Sequence, residues 1–235
     1  MGDSSSPYVS KITERHLGWL AVITALLTIL WLVLLVYAAP QAWFAASLDQ
    51  AVKNALELGW VYFVGYALAA IITIVAMMFF AGIYTYCRSV APVWSAIALV
   101  FVPVYGVLNL TIYMLQITVI PPLLTQFHVN GHDMSTHYVL SLLLHGSTDS
   151  VAWILNNLAY SMLGISSIIF GILLGNRNSN LRVAGLLLVL SGIAPIIGMV
   201  GIVLGIDPLH HGSLVGGLLF LISLLLLIRL LLFTE

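Results

Sequence analysis

The segment HVNGHDMSTH gathers His128, His132, Asp133 and His137 within ten residues of an otherwise oily chain. Imidazole with carboxylate is the donor set of zinc and related transition metals, and grouped imidazoles also titrate near about pH 6. His210 and His211, in DPLHHG, would add ligands if their loop met the first. Spacing limits these readings. His128 and His132 are four apart, but Asn130-Gly131 between them signals a turn, so they are not a helical ligand pair. Asp133 or Ser135 is a candidate N-cap of a short interfacial helix, STHYVLSLLLH, on which His137, Ser141 and His145 would share a face. His137 and His145 would then stand ~12 Å apart along the axis, too far for one ion. A solvated polar cap, a transition-metal site and a proton-sensing loop all stay open, and no motif requires a cofactor.

A second set of polar residues lies inside apolar runs. Tyr105, Asn109, Tyr113 and Gln116 follow at steps of four, four and three, one face of a helix. Asn156, Asn157, Tyr160, Ser161 and Gly164 also fall largely on one face, and Tyr62 and Tyr66 add two hydroxyls. A buried amide in hydrocarbon needs a partner, so these faces should look inward and meet. They form either interhelical hydrogen bonds or the polar wall of a small-molecule cavity, with Tyr105, Asn109, Tyr113, Gln116, Asn156, Asn157 and Tyr160 as its ligand-binding candidates.

The elements that must position these residues are membrane spans. Of 235 residues, 62% are hydrophobic and 6% charged, with mean hydropathy +1.13. A soluble domain carries about 25% charged residues, so this chain has lipid as its solvent. The expected fold class is all-α, a polytopic bundle. Six segments reach the ~20 apolar residues a span needs: about 17–39, 60–84, 91–120, 151–174, 181–205 and 213–233. Residues 1–16 form a short polar tail, with the first ten expected to be flexible. The first apolar run is longer than a signal-peptide core. Lys11, Arg15, Arg88, Arg177, Arg182 and Arg229 fall on one side of this threading and only Lys53 on the other. The positive-inside rule then places both termini in the cytoplasm of a plasma membrane protein, with loops 40–59, 121–150 and 206–212 outside.

Several negative features narrow the function. No Asp, Glu, Lys, Arg or His lies near the middle of a span, which argues against ion-driven pumps and voltage sensors. A net charge of −1 gives no reason to expect nucleic acid. The single cysteine, Cys87, allows no internal disulfide. Trp19, Trp43, Trp60, Tyr84, Tyr86, Trp94 and Trp153 mostly fall near span ends and read as an aromatic belt. Gly185, Gly192, Gly198, Gly201, Gly205, Gly212, Gly216 and Gly217, with Pro195, are expected to mark close packing in the last two spans. That surface is also where a membrane-protein partner or a second copy would dock. The first outer loop sets Val52, Ala55 and Leu56 against Asp49, Lys53 and Glu57 and reads as an amphipathic surface helix, a possible lid.

VYGVLNLTIYMLQITVIPPLL and NNLAYSMLGISSIIFGILL, together with the six-span layout, resemble uncharacterised six-span prokaryotic membrane proteins grouped as DUF4386-like. The resemblance implies a helical bundle in a plasma membrane and no known activity. Three functions stay open: a non-enzymatic protein that binds or passes a small neutral or lipidic molecule, a metal-dependent membrane hydrolase using outward His and Asp residues, and an accessory or sensory subunit. The first is the leading expectation.

Overall fold

The computed structural model describes residues 7–37, 45, 47–129, 133–147 and 150–233, without side chains at 7–10, 12 and 128. The described residues are mostly helical, joined by short turns and by one isolated bridge between Ala45 and Ser147. The helices are α1 (Pro7–Tyr37), α2 (Leu48–Leu58), α3 (Trp60–Cys87), α4 (Pro92–Thr118), α5 (Ile120–Val129), α6 (Met134–Leu143), α7 (Val151–Arg177), α8 (Arg182–Leu204) and α9 (Gly212–Leu232). Six candidate spans match the sequence expectation in number and place: Thr13–Tyr37, Trp60–Cys87, Pro92–Phe127, Val151–Arg177, Ser179–Leu204 and Asp207–Leu232. Large apolar side chains such as Leu26, Val100, Leu186 and Leu225 point outward, where only lipid can receive them.

Two boundaries differ from expectation, each for a local reason. Helix begins at Pro7, inside the tail expected to be flexible. Proline suits a first helical turn, where its missing N–H would have no partner anyway. The third span was expected to end at residue 120 and lead into a loop. Instead α4 stops at Thr118, and a second helix, α5, runs to Val129. Pro121 and Pro122 cannot donate to the carbonyls one turn back, which breaks α4, but they fit the opening turn of α5.

The chain forms two compact units. The first comprises residues 1–26, 74–105 and 160–235. Its helices approach through glycine. A Cβ at Gly164 would lie 2.5 Å from the Gly192 carbonyl oxygen, and one at Gly171 equally close to the Gly185 oxygen. Gly216 sits against the Ser191 carbonyl, which has no helical donor because Pro195 has no N–H. Ser161 donates to Pro195 O at 3.0 Å, and Ser223 to Ala184 O at 2.9 Å. These glycines are taken up by packing within the chain, as small-xxx-small patterns allow, whereas Gly205 and Gly217, expected to pack in the same way, have nothing within 4 Å of an added Cβ. Phe79, Phe80, Phe170 and Phe220 fill the space between, with the Phe80 and Phe220 rings stacked at 5.9 Å. Gly205 closes α8 in the left-handed region (φ 67°), and Ile206 N–H returns to Gly201 O.

The second unit comprises residues 27–73 and 106–159. The amphipathic helix expected in the first outer loop is α2. Ser47 caps it, and Ala51, Val52, Asn54 and Ala55 are its buried face. Leu56, placed on that face by sequence, is 41% exposed. Gly59, at φ 53°, makes the sharp turn into α3. The core gathers Tyr62, Tyr66, Ile112, Tyr113, Ile120, Leu124, Phe127, Leu140 and Leu144. The aromatic-belt reading suits Trp19, Trp60 and Trp94, which are exposed, but Trp153 and Tyr86 are buried. Trp43 lies outside the described residues.

Candidate functional site

The polar residues of the second unit meet in one buried ladder. Four elements supply it. The start of α3 places Tyr62 and Tyr66 one turn apart. The last half of α4 carries Asn109, Tyr113 and Gln116 on a single face, and the first turns of α7 supply Asn156. The turn after α6 brings in His145, because Leu144 turns extended (ψ 109°) and ends the helix there.

Gln116 is the hub. Its Oε1 accepts from the Tyr62 hydroxyl at 2.6 Å and from the His145 backbone N–H at 3.1 Å. Its Nε2 donates to Leu143 O at 2.8 Å. One amide therefore anchors α3 and the end of α6 to α4. Deeper along the same face, the Tyr66 hydroxyl lies 3.0 Å from His145 Nδ1, and the Tyr66 ring is 6.0 Å from that of Tyr113. Asn156 Nδ2 donates to Asn109 Oδ1 at 2.9 Å and to the Tyr113 hydroxyl at 3.0 Å. From Gln116 to Asn109 the ladder descends roughly 10 Å, at about 1.5 Å per helical residue. Tyr62, Tyr66, Asn109, Tyr113, Gln116 and Asn156 are all buried.

Every member is uncharged. His145 is part-exposed as a residue, but its Nε2 atom is sealed. Burial holds its imidazole down to about 4, against the opposing effect of a hydrogen bond with the Asn156 side chain, so the ring is neutral at ordinary pH. If Nδ1 accepts from Tyr66, Nε2 carries the proton; if Nδ1 donates, Nε2 is an acceptor.

Tyr62 links the ladder to a surface pocket. It lines an open, largely apolar space of about 130 Å³, together with Ala55 and Leu56 of α2, Phe63 of α3, and Leu124 and Thr125 of α5. The volume suits the end of an acyl chain or a very small molecule.

Of the seven ligand-binding candidates read from sequence, the ladder contains Asn109, Tyr113, Gln116 and Asn156. Where the α4 and α7 amides meet they bond directly, so the open space lies at the α2–α3–α5 end instead. Asn157 Nδ2 turns back to Trp153 O at 3.0 Å on its own helix. Tyr105 and Tyr160 belong to the first unit and pair there, rings 5.7 Å apart. The face of α7 that reads as one stripe thus divides its residues among different neighbours. His145 was expected on a helix face beside His137. The helix ends before it, and its ring enters the ladder instead.

The metal candidates are scattered among helix ends. Asp133 caps α6, accepting from Thr136 N–H at 3.2 Å and from the Ser135 hydroxyl. Those bonds hold its carboxyl below the usual range, the Ser135 contact most strongly. His137 packs by Phe127, rings 6.0 Å apart. His210 Nδ1 lies 3.9 Å from Asp207 Oδ1, and His211 is the N-cap residue of α9 with no side-chain capping bond. His132 and the side chain of His128 lie outside the described residues. Among the described residues, no three His, Cys, Asp or Glu side chains group as a metal site would require. No family model matches the chain, and no curated protein or solved structure matches it either.

Proposed function

We propose that this multi-span membrane protein is a non-enzymatic binder or carrier of a small neutral or lipidic molecule. The ligand's apolar part enters the pocket beside Tyr62. One observation carries the reading: Tyr62 lines the pocket, and its hydroxyl is the first rung of a buried, uncharged hydrogen-bond ladder. Ligand sites are commonly apolar with a few fixed polar groups, and this one has that composition. Lipid can reach Leu56 and Phe63 directly, since both are exposed. The Lys and Arg distribution supports a reading with both termini in the cytoplasm, and on that reading the pocket faces the outer side of the plasma membrane. The likeness to uncharacterised six-span membrane proteins fits this placement and adds no activity.

The test is photo-crosslinking in liposomes with a monoacylglycerol carrying a diazirine near the chain end. Labelling should concentrate on α2, α3 and α5, and Thr125→Trp, which fills the pocket mouth, should cut it at least about fivefold. Labelling spread evenly over lipid-facing helices such as α9, unaffected by Thr125→Trp, would refute the reading.

A further inference from the structure

The first unit gathers its basic side chains at one end. The Tyr86 hydroxyl, near the end of α3, donates to Glu14 Oε1 of α1 at 3.4 Å. Arg177, the last residue of α7, donates from Nη1 to the Ser89 hydroxyl at 2.6 Å, and its guanidinium stands 4.2 Å from the centre of the Tyr86 ring. Gly18 of α1 packs against Leu231 and Leu232 at the end of α9. The start of α1 and the ends of α3, α7 and α9 therefore meet, and with them come Lys11, Arg15, Arg88, Arg177, Arg182 and Arg229. Among the described residues Glu14 is the one carboxylate at this end, and none of these six cations lies within ion-pair distance of a carboxylate. We propose that Arg88, Arg177 and Arg182 form a headgroup site that holds the phosphate of an anionic phospholipid in the adjoining leaflet.

Arg177 is the preformed part. The Ser89 hydroxyl and the Tyr86 side chain, through its ring and a hydrogen bond, hold its guanidinium in place. A guanidinium carries five N–H donors in a fork that matches two phosphate oxygens, more donors than these contacts use. The Ser89 bond also ties the turn after α3 to the end of α7, so Arg88 is one residue, about 3.8 Å along the chain, from a group bonded to Arg177. Arg182 comes from the α8 side. Its Cα lies 3.6 Å from where a Cβ would stand on Gly175, two residues before Arg177. Arg88 and Arg182 are exposed, and Arg177 is half-buried. Apolar surface adjoins the three arginines and points to a lipid as the carrier of the phosphate. Val90, Val93 and Trp94, just beyond Ser89, and Val183, just beyond Arg182, are all more than half exposed. Acyl chains lie against them while the headgroup meets the arginines; a soluble phosphate would use the arginines alone. Basic clusters between membrane helices select net-anionic headgroups, because a zwitterionic head brings a cation of its own. The site belongs to the first unit and is independent of the pocket beside Tyr62, and its anionic ligand is distinct from the neutral one expected there.

The experiment titrates the purified, delipidated full chain in detergent with phosphatidylglycerol and, separately, with phosphatidylcholine of the same acyl chains, and reads bound lipid by native mass spectrometry. Wild type should bind phosphatidylglycerol at least about tenfold more tightly. An arginine near a membrane surface contributes roughly fivefold to the affinity for anionic lipid, so Arg88→Gln/Arg182→Gln should weaken phosphatidylglycerol binding by about tenfold or more and leave phosphatidylcholine binding within about twofold. If that variant does not fold, as judged by its melting curve, Arg177→Lys, which keeps the charge and loses the fork, reads the same site with a loss of about threefold or more. Lys11→Gln/Arg15→Gln removes equal charge from the same end, on α1, and should cost less than about twofold. Equal affinity for the two lipids, or an arginine variant that keeps the wild-type preference, would overturn the inference. So would an equal loss in the α1 variant, which would show a diffuse basic rim in place of a site. Inorganic phosphate that displaces phosphatidylglycerol at millimolar concentration would overturn the lipid assignment and make the ligand a soluble phosphate.

Discussion

Replacing Gln116 with leucine should be among the most damaging single changes in the second unit. The side chain makes three bonds: from the Tyr62 hydroxyl, from His145 N–H and to Leu143 O. Interhelical hydrogen bonds within membranes average about 0.6 kcal/mol, so their loss alone comes to roughly 2 kcal/mol. Leucine also leaves a backbone donor and a backbone acceptor at the end of α6 unpaired, and such groups cost about 1–3 kcal/mol when buried. Partial relaxation of that end of α6 toward solvent lowers this second cost. A total of about 2–4 kcal/mol follows, a fall in melting temperature of roughly 5–10 °C for a chain of this size. The assay is thermal unfolding in detergent, followed by circular dichroism. Thr118→Val is the control, since Thr118 is exposed and bonds to Met114 O on its own helix; it should cost less than about 0.5 kcal/mol. Tyr62→Phe should cost about 1 kcal/mol in wild type and almost nothing in Gln116→Leu, because the two share a bond. A Gln116→Leu protein that melts with wild type would refute the hub role, and additive costs for the pair would refute the shared bond.

Glycine packing in the first unit makes a paired prediction. Gly185→Ala drives a methyl into the Gly171 carbonyl and should destabilise by about 2 kcal/mol or more, whereas Gly217, with nothing within 4 Å, should accept alanine with a gain of up to about 1 kcal/mol; melting curves of both variants decide. His145 makes a pH prediction. Its folded value, about 4, lies below the ordinary 6.5, so the unfolded chain takes up the proton first and stability falls as pH drops from about 6.5 to about 4. The difference in melting temperature between wild type and His145→Gln should shrink across that window, and a constant difference would contradict a neutral buried ring. Asp133→Ala removes the α6 cap, and hydrogen exchange at the Thr136 and His137 amides should quicken while that of α4 does not change.

The spans were legible because a run of ~20 apolar residues has few alternatives, and the observed helices depart from it mainly where proline acts. The α4 face was legible for the same kind of reason. Asn109, Tyr113 and Gln116 recur at helical spacing, and amides in hydrocarbon must turn inward. Helical spacing also misled. Asn157 stands beside Asn156 in the pattern, yet its amide is satisfied within its own helix, an option that every Asn carries and no pattern displays. Tyr105 continues the stripe in sequence, but its ring pairs with Tyr160 in the other unit. His145 was hidden because its role depends on where α6 ends. Leu144 leaves helical geometry, and the turn swings the next ring toward Tyr66. The sequence signal available was an imidazole just beyond an apolar helix, which points to a buried partner only once Tyr66 is known to face it. HVNGHDMSTH, chemically the richest segment, contributes one helix cap and one ring packed against Phe127 among its described side chains.

The most direct test of the central claim is native mass spectrometry of the protein extracted from its own membrane, run beside Thr125→Trp. The account expects a bound neutral lipid or comparably uncharged small molecule on the wild type, largely lost from the variant while both retain the same melting behaviour. A wild type that carries no adduct under conditions preserving its fold, or an adduct that persists in Thr125→Trp, would contradict it.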